Sequence, residues 1–200
     1  MYFLWLIMLI CLSFGQTRVS SHTGEEVQSS LTLSELPSEV EKLKREVEDL
    51  KQSCHSARVA FSAVLRPPSQ DNDGYGHHGP FNADTNLVHN HVLTNVGDAY
   101  NTASGAFTAP VNGVYSFTIT TYSWVAEANI GVALYKNSEQ VALIWEYQDK
   151  GDNEDIASIG VILQLVKGDT VTVVLPSGFK VTSNAYKNIC TFNGFLIFKV

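Results

Sequence analysis

The chain has 200 residues, 44% of them apolar, and a net charge of −7. That length and content suit one globular domain with accessory segments. Residues 57–200 carry eight Lys/Arg against twelve Asp/Glu, a net of −4. No basic stripe is available to neutralise phosphates, which argues against nucleic acid as a partner.

Residues 1–15, MYFLWLIMLICLSFG, are uncharged and almost wholly apolar. The run is short for a bilayer span, and Ser13 and Gly15 fall at minus three and minus one for cleavage before Gln16. It reads as a secretory signal peptide, although no Lys or Arg precedes the apolar run. An uncleaved anchor is the second reading. The expected product is extracellular, without a membrane span once the signal is removed. Residues 16–32 are rich in Ser, Thr and Glu and are expected to be disordered.

Residues 33–56 form the predicted coiled coil. The dependable helix runs from about Pro37 to Cys54, because Pro37 fits only a first helical turn. Val40 and Val47 take heptad position a, and Leu43 and Leu50 take position d. Glu39 and Glu46 then fall at g, Lys44 and Lys51 at e, so a parallel in-register neighbour meets opposite charges. The competing reading is an amphipathic helix packed on its own domain. Two and a half heptads are marginal alone in water, so another interface must help. Val at a with Leu at d leans toward two strands. Cys54 falls on the seam near its end, which is compatible with an interchain disulfide and equally with a free or intrachain-paired thiol. With Cys11 removed, only Cys54 and Cys190 remain, too few for a disulfide scaffold.

From residue 57 onward the chain reads as β. Expected strands are 58–65, 87–93, 105–109, 114–120, 129–135, 140–147, 156–166, 170–175 and 190–200. Pairs 129–135/140–147 and 156–166/170–175 are expected hairpins. Residues 69–86 read as a long loop. Evenly spaced short strands with turn signals predict a sandwich or jelly roll.

Asn95, Tyr100, Phe107 and Gly113-x-Tyr115-x-Phe117 share the spacing of a known signature. With Ala60-Phe61-Ser62-Ala63, Asp155-x-Ala157-Ser158, Gly168-Asp169 and Phe192-x-Gly194-Phe195-Leu196-x-Phe198, residues 57–200 resemble the globular head of complement C1q. The family's first Phe is His89 here, and its last aromatic is Ile119. The resemblance implies an all-β, ten-stranded jelly roll like that of tumour necrosis factor, packed as a homotrimer. It implies that the signature residues are core and turn residues. Without a Gly-X-Y repeat, the chain resembles the non-collagenous, coiled-coil branch, so the head would set three strands and the coil follow.

Asp152, Glu154 and Asp155 crowd one loop, and carboxylates at short spacing can hold calcium. Some heads of the family bind calcium near the trimer apex at the place of Asp155. The alternative is a solvated acidic loop. Asp71-Asn72-Asp73-Gly74 lacks the later ligands of a calcium loop and reads as a turn. His77, His78, His89 and His91 are too few per face for zinc, although 89 and 91 would share one strand face. Tyr122, Trp124, Trp145 and Tyr147 could form an aromatic platform, or lie in the core or an interface. No nucleophile motif, Cys/His metal cluster or phosphate loop is present, so a binding protein is expected rather than an enzyme. The leading reading is a secreted, trimeric recognition protein for microbial or altered-self surfaces, sugars or lipopolysaccharide, in innate immunity. A cerebellin-like or hormone-like ligand of a cell-surface receptor is the alternative.

Overall fold

The computed structural model describes residues 34–56, 58–148 and 154–200. The predicted signal peptide, the 16–32 segment, Asp152 and the side chain of Cys54 lie outside the described residues.

Helix α1, Leu36–Ser56, covers the expected heptad stretch. Its seam residues Val40, Leu43, Val47 and Leu50 are all exposed within the single chain. Glu39–Lys42, Glu41–Lys44 and Glu48–Lys51 form i,i+3 ion pairs on its surface. Such exposed pairs contribute only ~0.3–0.5 kcal/mol each. No helix among the described residues is long and apolar enough to cross a membrane.

The remainder is a jelly-roll sandwich. Strands β1 (Ala60–Val64), β4 (His91–Val96), β7 (Gly113–Ser123), β12 (Asp155–Leu165) and β15 (Thr191–Lys199) form one sheet in the order β12-β7-β15-β1-β4. The facing sheet has the order β10-β9-β13-β6-β5. Its strands are β5 (Tyr100–Asn101), β6 (Ala106–Thr108), β9 (Ala133–Lys136), β10 (Glu139–Leu143) and β13 (Thr170–Leu175). Strand β3 (Thr85–Asn86) adds to the far half of β13. Two ribbons complete the chain. One pairs β2 (Tyr75–His78) with β14 (Val181–Asn184), and the other pairs β8 (Ala128–Ile130) with β11 (Glu146–Gln148). Gly131 helps to break the longer expected strands. It has a φ of 136°, and any side chain there would run into the Ile144 carbonyl.

The core is an aromatic knot between the sheets. Phe61 stacks on Tyr100 at 4.7 Å and on Phe107 at 5.4 Å, and meets Phe192 edge-on at 4.8 Å. Phe107 in turn meets Tyr115 and Phe117 at 5.4 and 5.2 Å. The central row of the five-stranded sheet pairs Phe61 with Gly194 and Gly194 with Phe117. A Cβ at Gly194 would lie 2.6 Å from a carbon of each ring. Glycine there lets the two rings lean over the strand that separates them.

The rest of the signature holds the knot in place. Asn95 Nδ2 donates to the Tyr100 carbonyl and Asn95 Oδ1 accepts from the Tyr100 amide, so its side chain closes the turn through Asp98, whose φ is 49°. The Tyr100 hydroxyl donates to the His89 carbonyl, and the Tyr115 hydroxyl to the Val111 carbonyl. Asp169 is likewise structural. It accepts from Lys136, Asn137 and the Val166 amide at one end of the sandwich.

Four expectations need correction. Strands 156–166 and 170–175 do not pair: β12 pairs with β7, while β13 pairs with β9, β6 and β3. Leu165 and Val171 are buried from opposite sheets, and the Lys167-Gly168-Asp169 link crosses the sandwich with Gly168 at φ 95°. Residues 69–86 hold β2 and β3, and 181–184 form a strand that the sequence did not announce. The strand expected at 87–93 lies later, at β4. Phe195 is not a core residue: it is 51% exposed on the outer face of its sheet.

Gly194→Ala should destabilise the fold by ~1–3 kcal/mol, the range for overpacking a filled core. The measurement is the urea midpoint against wild type. A shift below a few tenths of a kcal/mol would mean that the rings yield freely.

Candidate recognition surface

Strand pairing fixes which residues share the outer face of the five-stranded sheet, because side chains alternate with period two. One row runs Val96, Ala60, Phe195, Ser116, Ile162. The next runs Thr94, Ser62, Asn193, Thr118, Gly160, and a third contains Thr191, Thr120 and Ser158. Past a bulge in β15, Phe198 pairs with Val114 and Val114 with Gln164. None of these positions carries a charge. Ile162 is 67% exposed, and Phe198 and Val96 are also exposed. Ser62 Oγ donates to Asn193 Oδ1 at 2.6 Å in the polar middle.

A second apolar patch lies where β10 leads to β11. Leu143, Trp145 and Tyr147 are exposed at alternate positions. The indole Nε1 of Trp145 donates to Asn129 Oδ1. The four aromatics expected as one platform are therefore divided. Tyr122 is buried and meets Trp124 at 5.9 Å, whereas Trp145 and Tyr147 stand on this edge.

The chain enters the sandwich beside Gly97, where the Leu196 amide donates to the Val59 carbonyl. At the far end of β1 and β15 the 71–75 and 184–188 loops lock together. Asn184, fully buried, accepts from the Tyr186 and Lys187 amides and donates to the Asp73 carbonyl. Arg66 donates to the Asn184 and Lys187 carbonyls and to Asn188 Oδ1. Asp71 Oδ1 accepts the Asp73 and Tyr75 amides, a tight turn. The Tyr186 ring covers Gly74, whose hypothetical Cβ would lie 2.5 Å from it. Lys187 Nζ donates to the Tyr75 hydroxyl at 2.7 Å, and Tyr75 meets Trp124 at 4.2 Å.

The acidic loop is only partly described. Burial, aided by the nearby Glu154 carboxylate, pushes the Tyr122 hydroxyl up to about 12. The Tyr75 hydroxyl, with the Asp73 and Glu154 carboxylates in electrostatic reach, raises the Lys187 ammonium above its usual value. Among the described residues no three His, Cys, Asp or Glu side chains could hold one metal ion. Asp152, the third carboxylate of the expected calcium loop, lies outside the described residues.

The four histidines do not converge. His77 Nδ1 pairs with Thr182 Oγ1, and His78 Nε2 with Ser183 Oγ, both at 2.9 Å. Ser183 is fully buried, so this Ser–His pair is packing rather than a nucleophile and base. His89 is 2% exposed beside Phe192, whereas His91 is exposed, so the two do not share one face. Burial, with His78 nearby, lowers His89 to about 4, and burial lowers His78 to about 4. No partner reaches His89 Nδ1 among the described residues. Cys190 is buried, donates to the Thr182 carbonyl and is pushed up to about 12 by burial, so it is an inert thiol closed to Cys54.

Residues 73–197 match the C1q domain family. Over 118 residues the chain is 31% identical to Complement C1q tumor necrosis factor-related protein 3 of Mus musculus, across 59% of this chain and 47% of that protein. Caprin-2 of Danio rerio is 31% identical over 145 residues, 71% of this chain and 14% of Caprin-2. The chain thus spans about half or less of the curated relatives it matches. The globular domain of zebrafish Complement 1qA superposes with a TM-score of 0.52 at 24% identity, over 71% of this chain and 99% of that one. Eiger TNF from S. frugiperda gives 0.54 at 11% identity, over 72% and 95%. At those identities the likeness speaks for the fold alone.

The histidines set a pH dependence. Unfolded histidine titrates near 6.5 and His89 in the fold near 4, so between those values the unfolded chain binds more protons. Stability should therefore fall as pH falls from about 6.5 toward 4, by ~1.4 kcal/mol per pH unit for His89 alone. His89→Phe should flatten the slope of urea midpoint against pH. An unchanged slope would remove His89 as its source.

Proposed function

The chain belongs to the C1q domain family, and on that premise we propose that it is a secreted, homotrimeric recognition protein whose distal loops bind microbial or altered-self surfaces. The observation that carries self-assembly is the outer face of the five-stranded sheet, which holds Phe195, Phe198, Val96 and Ile162 without a single charge. Faces of that composition are withdrawn from water by a partner. A closed three-fold ring needs two different patches on each protomer. The sheet face and the Leu143–Trp145–Tyr147 edge provide two. The exposed seam of α1 adds a short parallel coil. Three weak ligand sites on one particle then gain avidity. Calcium enters this reading only as an ion held between protomers, through Asp155 and its neighbours.

The second reading is a ligand for a cell-surface receptor. It is favoured by the 31% identity to a relative named as tumor necrosis factor-related. The discriminating experiment adds the secreted protein to bacteria, to immobilised glycans and to cultured cells, with and without calcium. Binding to bacteria or glycans supports recognition. Binding to cells alone transfers the function to the receptor ligand.

Light scattering of the secreted protein should give three chains or a multiple of three; a stable monomer would refute the assembly. With Cys190 sealed in the core, the remaining partner for an oxidised Cys54 is another chain. A non-reducing gel should therefore show a covalent dimer band that Cys54→Ser removes. Identical gels for the two proteins would mean that Cys54 is a free thiol.

A further inference from the structure

Among the exposed aromatic surfaces of the described residues, one differs in kind from the two apolar patches already described. The sheet face and the Leu143–Trp145–Tyr147 edge are apolar and suit protein contacts. The third, at the end of the sandwich away from chain entry, is a single tyrosine ring set among charged and amide groups. Tyr186 is 72% exposed, the highest value among the large hydrophobic side chains of the described residues. Its ring is nonetheless held, with one face on Gly74 and its backbone tied by Asn184. The Asn184 side chain and the Ala185 amide join the two loops beneath it by donating to the Asp73 and Gly74 carbonyls, and Arg66 braces the 184–188 loop with three further hydrogen bonds. The open face of the ring is thus positioned before any ligand arrives, which lowers the ordering cost of binding.

The rim defines the ligand. Asp73 supplies exposed acceptors, and Lys187 keeps donors beyond the one it gives Tyr75. Asn188 is exposed and fixed by Arg66 through its oxygen, which turns its amide N–H groups into available donors. Asp71, Asp73 and Glu154 around this end weigh against an anionic ligand, and the Lys187 ammonium weighs against a cationic one. An uncharged molecule with an apolar face and a ring of hydroxyls remains.

We propose that Tyr186, with Asp73, Lys187 and Asn188, forms a shallow site for an uncharged saccharide, the C–H face of a pyranose lying on the tyrosine ring and its hydroxyls on the polar rim. This rests on the recognition reading and names the ligand class and the loops that take it. Because the ring rather than its hydroxyl makes the contact, phenylalanine should serve in its place.

The test passes the full secreted protein over immobilised mannan, β-1,3-glucan and dextran. Tyr186→Ala and Tyr186→Phe are run beside it, with thermal midpoint and particle mass as checks of folding. Wild type should bind at least one polysaccharide, Tyr186→Phe should match it, and Tyr186→Ala should lose roughly tenfold, the weight of one aromatic contact. Equal binding by Tyr186→Ala would overturn the site while leaving recognition standing. Wild type that binds bacteria but none of the polysaccharides would overturn the saccharide, again without touching recognition. Wild type that binds neither would take both readings down. Binding to cells alone, lost in Tyr186→Ala, would make the ring a protein contact and overturn the saccharide.

Discussion

Two phenylalanines reach each other across a strand that has no side chain between them. Phe61 on β1 and Phe117 on β7 are separated by β15, and only glycine at 194 leaves room for their rings. That contact fixes the register of three adjacent strands, because a slip of one residue would turn Phe61 or Phe117 outward. It gathers Tyr100, Phe107, Tyr115 and Phe192 into one packed cluster. Once the inner face is fixed, alternation decides the outer one. Phe195, next to Gly194, must then point to solvent or to a partner.

The division of labour in the molecule follows from this. The inner face is aromatic and closed. The outer face is uncharged, with apolar rows at one end and Ser, Thr and Asn in the middle, which suits contact with another copy. Polar anchoring is concentrated at the loops. There Asn184 and Arg66 stiffen the surface with hydrogen bonds. Buried His89 and half-buried His78 belong to the frame: both are neutral packing residues, and their cost appears only on acidification.

Much of this was legible in the sequence. Asn95, Tyr100, Phe107, Gly113, Tyr115 and Phe117 announced a head of known architecture, because each does a local job that a fixed spacing reveals. Asn95 closes a turn five residues away, and Gly113 clears room for Leu196 and Tyr115. Phe195 was misread because its neighbours Phe192 and Gly194 are core, and composition does not tell which face a strand residue takes. The 156–166/170–175 hairpin was misread because a three-residue link can cross a sandwich as readily as turn within a sheet. The Tyr186 site was invisible, since its partners Gly74 and Tyr75 lie more than a hundred residues upstream. The Asp152–Asp155 loop offered a calcium motif by spacing and by resemblance, while the electrostatic neighbours of Glu154, Tyr122 and Lys187, lie about thirty residues away on either side and spacing could not show them.

The central claim is that one sheet has an aromatic inner face that makes the fold and an uncharged outer face that makes the assembly. Sedimentation of the full chain carrying Phe195→Asp tests it most directly, because the residue is exposed in the single chain and its neighbour Gly194 is core. With reductant present to open any Cys54 bridge, the account predicts an unchanged far-ultraviolet circular dichroism spectrum with the mass reduced to that of one chain. A correctly folded trimer, stable despite three carboxylates on that face, would contradict it.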